Sequence, residues 1–441
     1  MATTYLTSSY GSTTNRRTWT YSFWIKRTGI GAEQHIWGAR NAASEPYIDF
    51  RFDSDDIINF YEYNGGSYGL WLKTNRVFRD CSGWYHFVVA CDTTQAVASD
   101  RIKLYINGVQ QTSFSTETYP AEDFDTPVNV SGYLCTVASL GNSGTGNFNG
   151  AMSHFYFIDG LAYAPTVFGE EDSDTGEWKI KTSPSVTYGT NGFLILKDGN
   201  TITDQGDNSN DFTLGAGTLT ATEDCPDDVF CTWNSIQTRP YDTPTYSNGN
   251  TTVTRSGANW AETTGSLGAT KGKYYWEMKP TGTVSSNCFI GICSEAWQNS
   301  NRYADADPYN STLGLVLYYQ DGEKTVNGVT TASFFPSFAA DDIIGIALDL
   351  DAATKTVTFY KNNSIAGSAI DLPANMQTGF VLPVSMFLGS VSVMSWNANF
   401  GNGYFATTAI SSEGTNASGI GKFEYDVPAG HTALSLKGMN S

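Results

Sequence analysis

The feature that most constrains the fold of this sequence is an alternation of large apolar residues with small or polar ones in many short segments. TWTYSFWIKRT carries its large side chains at every second position, and the same period recurs in PYIDFRF, RIKLYINGV and MSHFYFIDG. A period of two is that of a half-buried β-strand. Turn-forming sequences such as NGG, CSG and NSGTGNFNG separate the segments. Because many short strands at close spacing are typical of sandwiches and jelly rolls, we expect an all-β protein.

One pattern of residues occurs twice. Residues 86–110 read HFVVACDTTQAVASDRIKLYINGVQ, and residues 341–365 read DDIIGIALDLDAATKTVTFYKNNSI. Each copy has an apolar run that ends in Asp, then a polar stretch, then an alternating segment that ends at an aromatic residue and a turn-forming Asn. A chain of 441 residues is too long for one ordinary core. The repeat therefore indicates two domains.

The changes in composition predict four parts of the chain. Strand-like alternation fills residues 1–164 and 236–400, which we interpret as two β-sandwich domains in tandem. Residues 165–235 are polar but contain spaced apolar anchors, so we expect an ordered connector. Residues 401–441 are again small and polar with a few anchors. We interpret them as a C-terminal extension that lies along the second domain or a neighbouring subunit.

Charge and cysteine content exclude several classes of protein. The formal charge is −19, with 25 Lys and Arg against 44 Asp and Glu, and such a surface repels the phosphate backbone of nucleic acids. The N-terminal sequence has no apolar core of a secretory signal, and FVLPVSMFLGSVSVM is too short to span a membrane. The seven cysteines are an odd number without a CxxC spacing, so we expect buried free thiols. No metal and no cofactor is predicted.

Several segments of the chain resemble known families. SFWIKRT, DCSGWYHFVVACDTT, RIKLYINGVQ and GAMSHFYFIDGLAY resemble a laminin-G-like (concanavalin-A-like) jelly roll. KGKYYWEMKP, DGEKTVNG, DDIIGIALDLDAATKTVTFYKNN and FVLPVSMF resemble a SPRY domain. The connector, FGEEDSDTGEWKIK followed by YGTNGFLI, is similar to the segment after such jelly rolls in virion proteins of tailed bacteriophages, particularly marine and cyanobacterial phages. The resemblance implies that each copy of the repeated pattern forms the same hairpin in its own sandwich. Asn107-Gly108 and Asn362-Asn363 would then lie in the turns.

Concanavalin-A-like folds include glucanases, whose catalytic carboxylates stand at alternate positions of one strand. The nearest approach is EPYIDFRFDSDD, where Asp49, Arg51, Asp53 and Asp55 share a face if the strand is regular. No glutamate is in register, and Arg51 is expected to pair with its neighbours. A solvated strand face is favoured over hydrolysis, and calcium binding by Asp53, Asp55 and Asp56 is a second alternative.

The four histidines, His35, His86, His154 and His431, have no Ser or Asp partner motif, and no glycine-rich nucleotide loop opens a helix. We interpret the histidines as structural and predict no catalytic residues.

Two stretches carry aromatic residues among polar ones, as ligand-binding loops do. The first contributes Tyr61, Tyr63, Tyr68 and Trp71 in YEYNGGSYGLWLK. The second contributes Trp297, Gln298, Arg302, Tyr303, Asp305 and Tyr309 in SEAWQNSNRYADADPYN. By resemblance, the second stretch corresponds to a variable loop on the ligand-binding face of SPRY domains. The alternative for both is that the rings cover core edges or subunit contacts.

Together these observations predict a non-enzymatic structural protein of a phage virion, displayed on the particle surface as a capsid decoration or fibre. Host cell-surface glycans are a candidate ligand, since weak sites in many copies bind strongly. A tail-fibre receptor-binding protein with lectin-like recognition is the alternative, and a glycan hydrolase is less favoured. The expected partners are other capsid or tail proteins and further copies of the chain, without nucleic acid or membrane insertion. We expect synthesis and folding in the host cytoplasm.

Overall fold

The computed structural model describes residues 3–41, 45–141, 145–237, 244–255, 260–285, 288–299, 311–387 and 393–441. The chain divides into two compact units, Met1–Ala221 and Thr222–Ser441. Most of the expected connector, residues 165–235, therefore belongs to the first unit, and its last residues belong to the second. Regular structure in the described residues is almost entirely β-strand, which confirms the all-β class. The two short α-helices are α1 (Glu295–Asn299) and α2 (Leu436–Met439).

The first unit is a sandwich of two antiparallel sheets. Its strands are β1 (Tyr5–Ser9), β2 (Thr18–Arg27), β3 (Gln34–Arg40), β4 (Tyr47–Phe52), β5 (Ile57–Asn64), β6 (Ser67–Val77), β7 (Tyr85–Asp92), β8 (Ile102–Ile106), β9 (Val109–Gln110), β10 (Phe114–Thr118), β11 (Leu134–Val137), β12 (Gly150–Asp159), β13 (Gly169–Glu171), β14 (Trp178–Ile180), β15 (Phe193–Ile195) and β16 (Thr213–Ala216). An eight-stranded sheet has the order β10-β6-β5-β4-β3-β11-β1-β16, and a six-stranded sheet has the order β15-β12-β2-β7-β8-β9. Strands β13 and β14 form a separate hairpin.

The alternation in β2 selects the side chains that fill this sandwich. Trp19, Tyr21, Phe23 and Ile25 are all fully buried in one core cluster. Tyr21 stacks on Trp37 of the opposite sheet, with ring centroids 4.0 Å apart. Because alternate residues of a strand point to opposite faces, the spacing of these four residues predicted the buried face.

The second unit is also a sandwich. Its strands are β17 (Thr245–Ser247), β18 (Thr252–Arg255), β19 (Ala261–Thr264), β20 (Lys273–Gly282), β21 (Cys288–Ser294), β22 (Leu315–Tyr319), β23 (Lys324–Val326), β24 (Val329–Thr331), β25 (Ile344–Asp349), β26 (Thr356–Lys361), β27 (Ser364–Ile365), β28 (Ile370–Asp371), β29 (Val381–Phe387), β30 (Met394–Asn399), β31 (Tyr404–Phe405), β32 (Thr408–Ala409) and β33 (Thr432–Ala433). One sheet has the order β17-β18-β30-β20-β25-β26-β27, with β28 on β26 and β33 parallel to β20. The other has the order β19-β29-β21-β22-β23-β24.

The two copies of the repeated pattern occupy the same place in their sandwiches. The first forms β7, β8 and β9, and the second forms β25, β26 and β27, each as consecutive antiparallel neighbours. Both turns use two residues with positive φ: 48° and 78° at Asn107 and Gly108, and 46° and 68° at Asn362 and Asn363. Two consecutive positive φ values are typical of the tight hairpin turn that matches strand twist. The predicted hairpin and its turn residues are confirmed.

The turn asparagines share a second role. The side-chain Oδ1 of Asn107 accepts a hydrogen bond of 2.8 Å from the backbone N–H of His86. Asn362 accepts one of the same length from the N–H of Ile343. In both units the asparagine thus ties the hairpin to the start of the preceding strand, which explains why the pattern needs Asn at this position.

In both units the chain that follows the sandwich covers the outer face of the sheet containing the repeated hairpin. In the first unit, Phe168 is buried on this face, and Trp178 of the β13–β14 hairpin reaches the turn. The apolar residues buried there are Val88, Tyr156, Ile158, Phe168 and Leu194. In the second unit, Phe423 of the C-terminal segment is buried against Tyr275 of β20. Residues 401–441 therefore pack on their own unit.

All seven cysteines are free thiols, and six of them are buried. Within the described ranges, no helix is long and apolar enough to cross a membrane.

Candidate functional site

Strands β4, β5 and β6 place three rows of side chains on the outer face of the eight-stranded sheet. Residues paired across neighbouring strands point to the same side of a sheet. The pairing gives the rows Tyr47, Tyr63 and Tyr68, then Asp49, Tyr61 and Trp71, then Arg51, Asn59 and Lys73. The residues between them, such as Ile48, Phe60 and Leu72, point inward and are buried in the core. We call these nine residues the outer strip.

The aromatic half of the outer strip is built around Tyr68. Its ring stacks on Trp71 at a centroid distance of 4.2 Å and an angle of 22°. Tyr63 lies 5.2 Å away, and Tyr61 meets Tyr68 edge-on at 5.7 Å. Tyr61 is 6% exposed and forms the base, whereas Tyr68 is 40% exposed. Tyr68 is therefore the exposed residue of this aromatic group.

The polar half of the outer strip is organised by Asp53, which directly follows β4. Its carboxylate lies 2.9 Å from Arg51 Nε and 2.8 Å from Lys73 Nζ, and Asn59 Nδ2 donates to it at 3.1 Å. Burial alone would raise the pKa of Asp53, but Lys73, Asn59 and Arg51 outweigh burial and lower it. Trp71 Nε1 donates to Asn59 Oδ1 at 3.0 Å, which joins the polar half to the aromatic half.

The buried His35 of β3 contacts a carboxylate of the outer strip from the neighbouring strand. Nδ1 of His35 lies 2.9 Å from Asp49, and its Nε2 lies 3.3 Å from Glu33. Glu33 also pairs with Arg51 at 2.9 Å. Burial would lower the pKa of His35, but the two carboxylates outweigh burial and raise it.

Two of the carboxylates considered for hydrolysis, Asp49 and Asp53, lie beside cationic side chains. Asp49 lies on the outer strip, and Asp53 extends the same side at the end of β4, with the Arg51 guanidinium near both carboxylates, at 3.7 and 2.9 Å. Asp55 is exposed beyond the strand, and Asp56 pairs with Arg27 at 3.1 Å. In the part of the chain that the structure describes, no three acidic, His or Cys side chains converge as a metal would require.

His86 has a structural position. It is fully buried, with Ser22 Oγ 2.9 Å from Nε2, Trp24 stacked at 4.5 Å, and Trp178 Nε1 donating to Nδ1 at 2.9 Å. Burial lowers the pKa of His86 to about 3, so the ring is neutral and its Nδ1 accepts a hydrogen bond from the indole N–H of Trp178.

The second aromatic stretch begins with helix α1. Trp297 is fully buried with Phe289, Leu317 and their neighbours on the outer face of the smaller sheet of the second unit. The Oγ of Ser294 accepts a hydrogen bond of 3.0 Å from the N–H of Trp297 and thereby starts the helix. Trp297 thus has a buried position, which fits the alternative that its ring covers a core edge and not an exposed ligand contact.

Gln298 is partly exposed. The other four residues predicted for this site, Arg302, Tyr303, Asp305 and Tyr309, lie outside the described residues.

Five members of the outer strip, Tyr47, Asp49, Arg51, Asn59 and Lys73, were not predicted as site residues, although Asp49 and Arg51 were considered for hydrolysis. The sequence did show which of these residues share a strand face, since Tyr47 is two positions from Asp49, and Asn59 is two positions from Tyr61. What the sequence did not show was the register that places Lys73 beside Asn59.

Comparison with family models supports both domains. Residues 1–168 match the model described as the concanavalin A-like lectin/glucanases superfamily, and residues 273–396 match the SPRY domain. The comparison with curated proteins found no match.

Three solved structures illustrate the likeness at low sequence identity. The SPRY domain of human HERC1 is 20% identical, with 38% of this chain and 96% of that chain covered and a TM-score of 0.30. The TRIM65 PSpry domain is 14% identical, with 38% and 88% covered and a TM-score of 0.30. A heptameric SAP-like pentraxin from Limulus polyphemus is 14% identical, with 36% and 71% covered and a TM-score of 0.28. Since these scores are low, the assignment rests on the family models: the chain carries a concanavalin A-like domain followed by a SPRY domain.

Proposed function

We propose that this protein is a non-enzymatic structural protein of a phage virion, displayed on the particle surface, where it contacts host cell-surface glycans. The observation that carries the glycan contact is the outer strip, where the exposed ring of Tyr68 lies on the same face of the sheet as the partly exposed Lys73, which pairs with Asp53. Sugars present an apolar ring face and a rim of hydroxyl groups, so such a surface suits them.

The ion pairs of the outer strip support a binding role over hydrolysis. A retaining glycosidase needs two carboxyl groups with different proton affinities flanking the scissile bond. Here Asp49 pairs with His35 at 2.9 Å, and Asp53 pairs with Lys73 at 2.8 Å. Despite burial, Lys73, Asn59 and Arg51 lower the pKa of Asp53 and favour its ionised form, which makes Asp53 a poor proton donor. We expect no release of reducing sugar from host polysaccharide.

The assignment to a virion rests on the connector, which resembles the segment after the jelly roll in tailed-phage virion proteins. In this chain residues 165–221 of the connector pack on the first unit, where β15 pairs with β12 of the sandwich and Trp178 Nε1 donates to His86 Nδ1 at 2.9 Å. These residues are a part of the domain architecture, which agrees with a resemblance that extends past the sandwich itself. Capsid decoration and a fibre or appendage both fit this arrangement.

Immunogold labelling of intact particles tests the proposed location. We expect gold on the outside of undamaged virions: label over the shell indicates a decoration protein, and label confined to the tail indicates a receptor-binding appendage. Antibody preabsorbed with the pure protein is the control. Label on disrupted particles alone, or recovery of the protein only in the soluble lysate, contradicts surface display.

A further inference from the structure

We propose that the outer strip binds neutral oligosaccharides and discriminates against acidic ones. This inference rests on the proposed glycan contact and adds the class of ligand. It is argued from the pairing of the charges in the strip, from the position of its exposed ring, and from its length.

The cations of the outer strip are already paired. Arg51 lies 2.9 Å from both Glu33 and Asp53, and Lys73 lies 2.8 Å from Asp53. A carboxylate or sulfate on a sugar would have to displace one of these protein carboxylates and approach the others. With three acidic groups beside two permanent cations, and a chain charge of −19, the local field disfavours an anion.

Hydroxyl groups can use the same residues without breaking an ion pair. The ammonium of Lys73 has three donors, and the contact with Asp53 occupies one of them. The four acceptor sites of the Asp53 carboxylate are already in contact with Arg51, Asn59 and Lys73, so a hydroxyl group binds here through the remaining donors of Lys73. The side chains of Lys73 and Asp53 are partly exposed, at 26% and 14%. A neutral sugar therefore gains hydrogen bonds here at little electrostatic cost.

The distance between the aromatic and polar halves favours more than one sugar ring. Successive rows are two residues apart along β4 and β5, and a strand rises about 3.3 Å per residue, so the three rows span roughly 13 Å. A ring stacked on Tyr68 in the first row does not reach Lys73 in the third. The ligand that uses both is an oligosaccharide, with one ring on Tyr68 and a neighbouring ring beside Lys73.

Isothermal titration calorimetry with the full chain tests this inference. The neutral probes are maltotetraose, cellotetraose, chitotetraose and mannotetraose, and the acidic probes are tetragalacturonate and a chondroitin sulfate tetrasaccharide. We expect at least one neutral probe to bind about tenfold or more tightly than either acidic probe. Because the contact is not ionic, a tenfold increase in salt concentration should leave neutral binding almost unchanged.

Variants assign the binding to the outer strip. Tyr68→Ala removes the exposed ring and Lys73→Met removes the hydroxyl donor, and each is expected to weaken neutral binding about tenfold or more. Val109→Ala and Lys103→Met alter an exposed Val and a paired Lys of the other sheet and should leave binding unchanged. Thr118→Arg provides an independent test, because Thr118 is exposed and paired with Trp71, so a long side chain there obstructs the strip without touching the core.

The possible outcomes separate the inference from the proposed function. Neutral binding that is lost in all three strip variants supports both. Tighter binding of an acidic probe overturns the inference on ligand class, while glycan contact stands. Neutral binding that survives in every strip variant overturns the site. If no probe binds to the wild-type chain, then both the inference and the proposed glycan contact are overturned.

Discussion

Glu277 should make the stability of the second unit depend on pH. Its side chain on β20 is fully buried, and its carboxylate accepts hydrogen bonds of 2.9 Å from the backbone N–H groups of both Glu424 and Tyr425. Asn399 Nδ2 donates to it at 3.1 Å. Burial raises the pKa of Glu277 from 4.5 to about 7 despite these donors. One carboxylate thus fastens the C-terminal segment to the sheet at an electrostatic cost.

The sign of the effect follows from the two pKa values. The unfolded chain releases this proton near pH 4.5, whereas the folded chain holds it until about pH 7. Between these values the folded state binds more protons, so stability falls as pH rises through the window and levels off above it. At about 1.4 kcal/mol per pH unit, the pKa difference corresponds to a loss of roughly 3 kcal/mol.

Glu277→Gln removes this titration. We expect the unfolding free energy of the wild type, relative to Glu277→Gln, to fall by roughly 3 kcal/mol between pH 4.5 and pH 7. Urea unfolding measures the difference, and hydrogen exchange at the amides of Glu424 and Tyr425 reports on the C-terminal segment itself. Glu413→Gln changes an exposed carboxylate of the same unit and should follow the wild-type curve.

A difference between wild type and Glu277→Gln that stays constant with pH would refute this reasoning. So would a difference that grows as pH rises. Either result would mean that the three donors offset or outweigh the effect of burial on the proton affinity of Glu277.

Three further predictions concern stability. Gly108→Ala should cost about 2 kcal/mol or more in thermal unfolding, because φ is 78° and the new Cβ would lie 2.5 Å from the Trp178 ring. Gly65→Ala, with open space at φ 56°, should cost less and serves as its control. Asn362→Ala should lower the unfolding free energy in urea by about 1–3 kcal/mol, since it loses a backbone partner at positive φ. The raised pKa of His35 adds stability that is present below pH 6.5 and lost as pH rises through the folded value; His35→Gln should remove this dependence from pH-dependent urea curves.

The parts of the fold that depend on local pattern were predictable. The alternation at Trp19, Tyr21, Phe23 and Ile25 identified the inward face of β2, because a strand has only two faces. The asparagines of both repeats indicated the turns, since Asn tolerates positive φ better than most residues. The match of two distant segments then predicted that the sandwich occurs twice.

The outer strip could be predicted only in part, because the sequence of a single strand does not determine its pairing register with the neighbouring strand. The pairing of β5 with β6 shifts between Ile57 and Asn59 and again between Glu62 and Tyr63. These irregularities decide that Tyr68 and Trp71 face the same side as Tyr61. The sequence shows which aromatic residues are present, but the β-bulges between β5 and β6 determine which face of the sheet each ring occupies.

Long-range polar contacts were beyond the sequence argument. Glu277 lies in KYYWEMKP, which predicts a strand, but its partners follow 147 and 148 residues later. Trp297 shows a second limit of the sequence argument. Its polar neighbourhood left a ligand site and a core edge as alternatives, whereas the short helix that follows Ser294 buries the indole against the outer face of the smaller sheet.

The central claim is that this chain contacts host glycans from the surface of the virion through the outer strip. Its most direct test is the adsorption rate of particles that carry Tyr68→Ala and Lys73→Met, compared with wild-type particles of equal protein content. Because many weak sites act together, the account predicts adsorption slower by about tenfold or more. Equal adsorption rates at equal incorporation would contradict it.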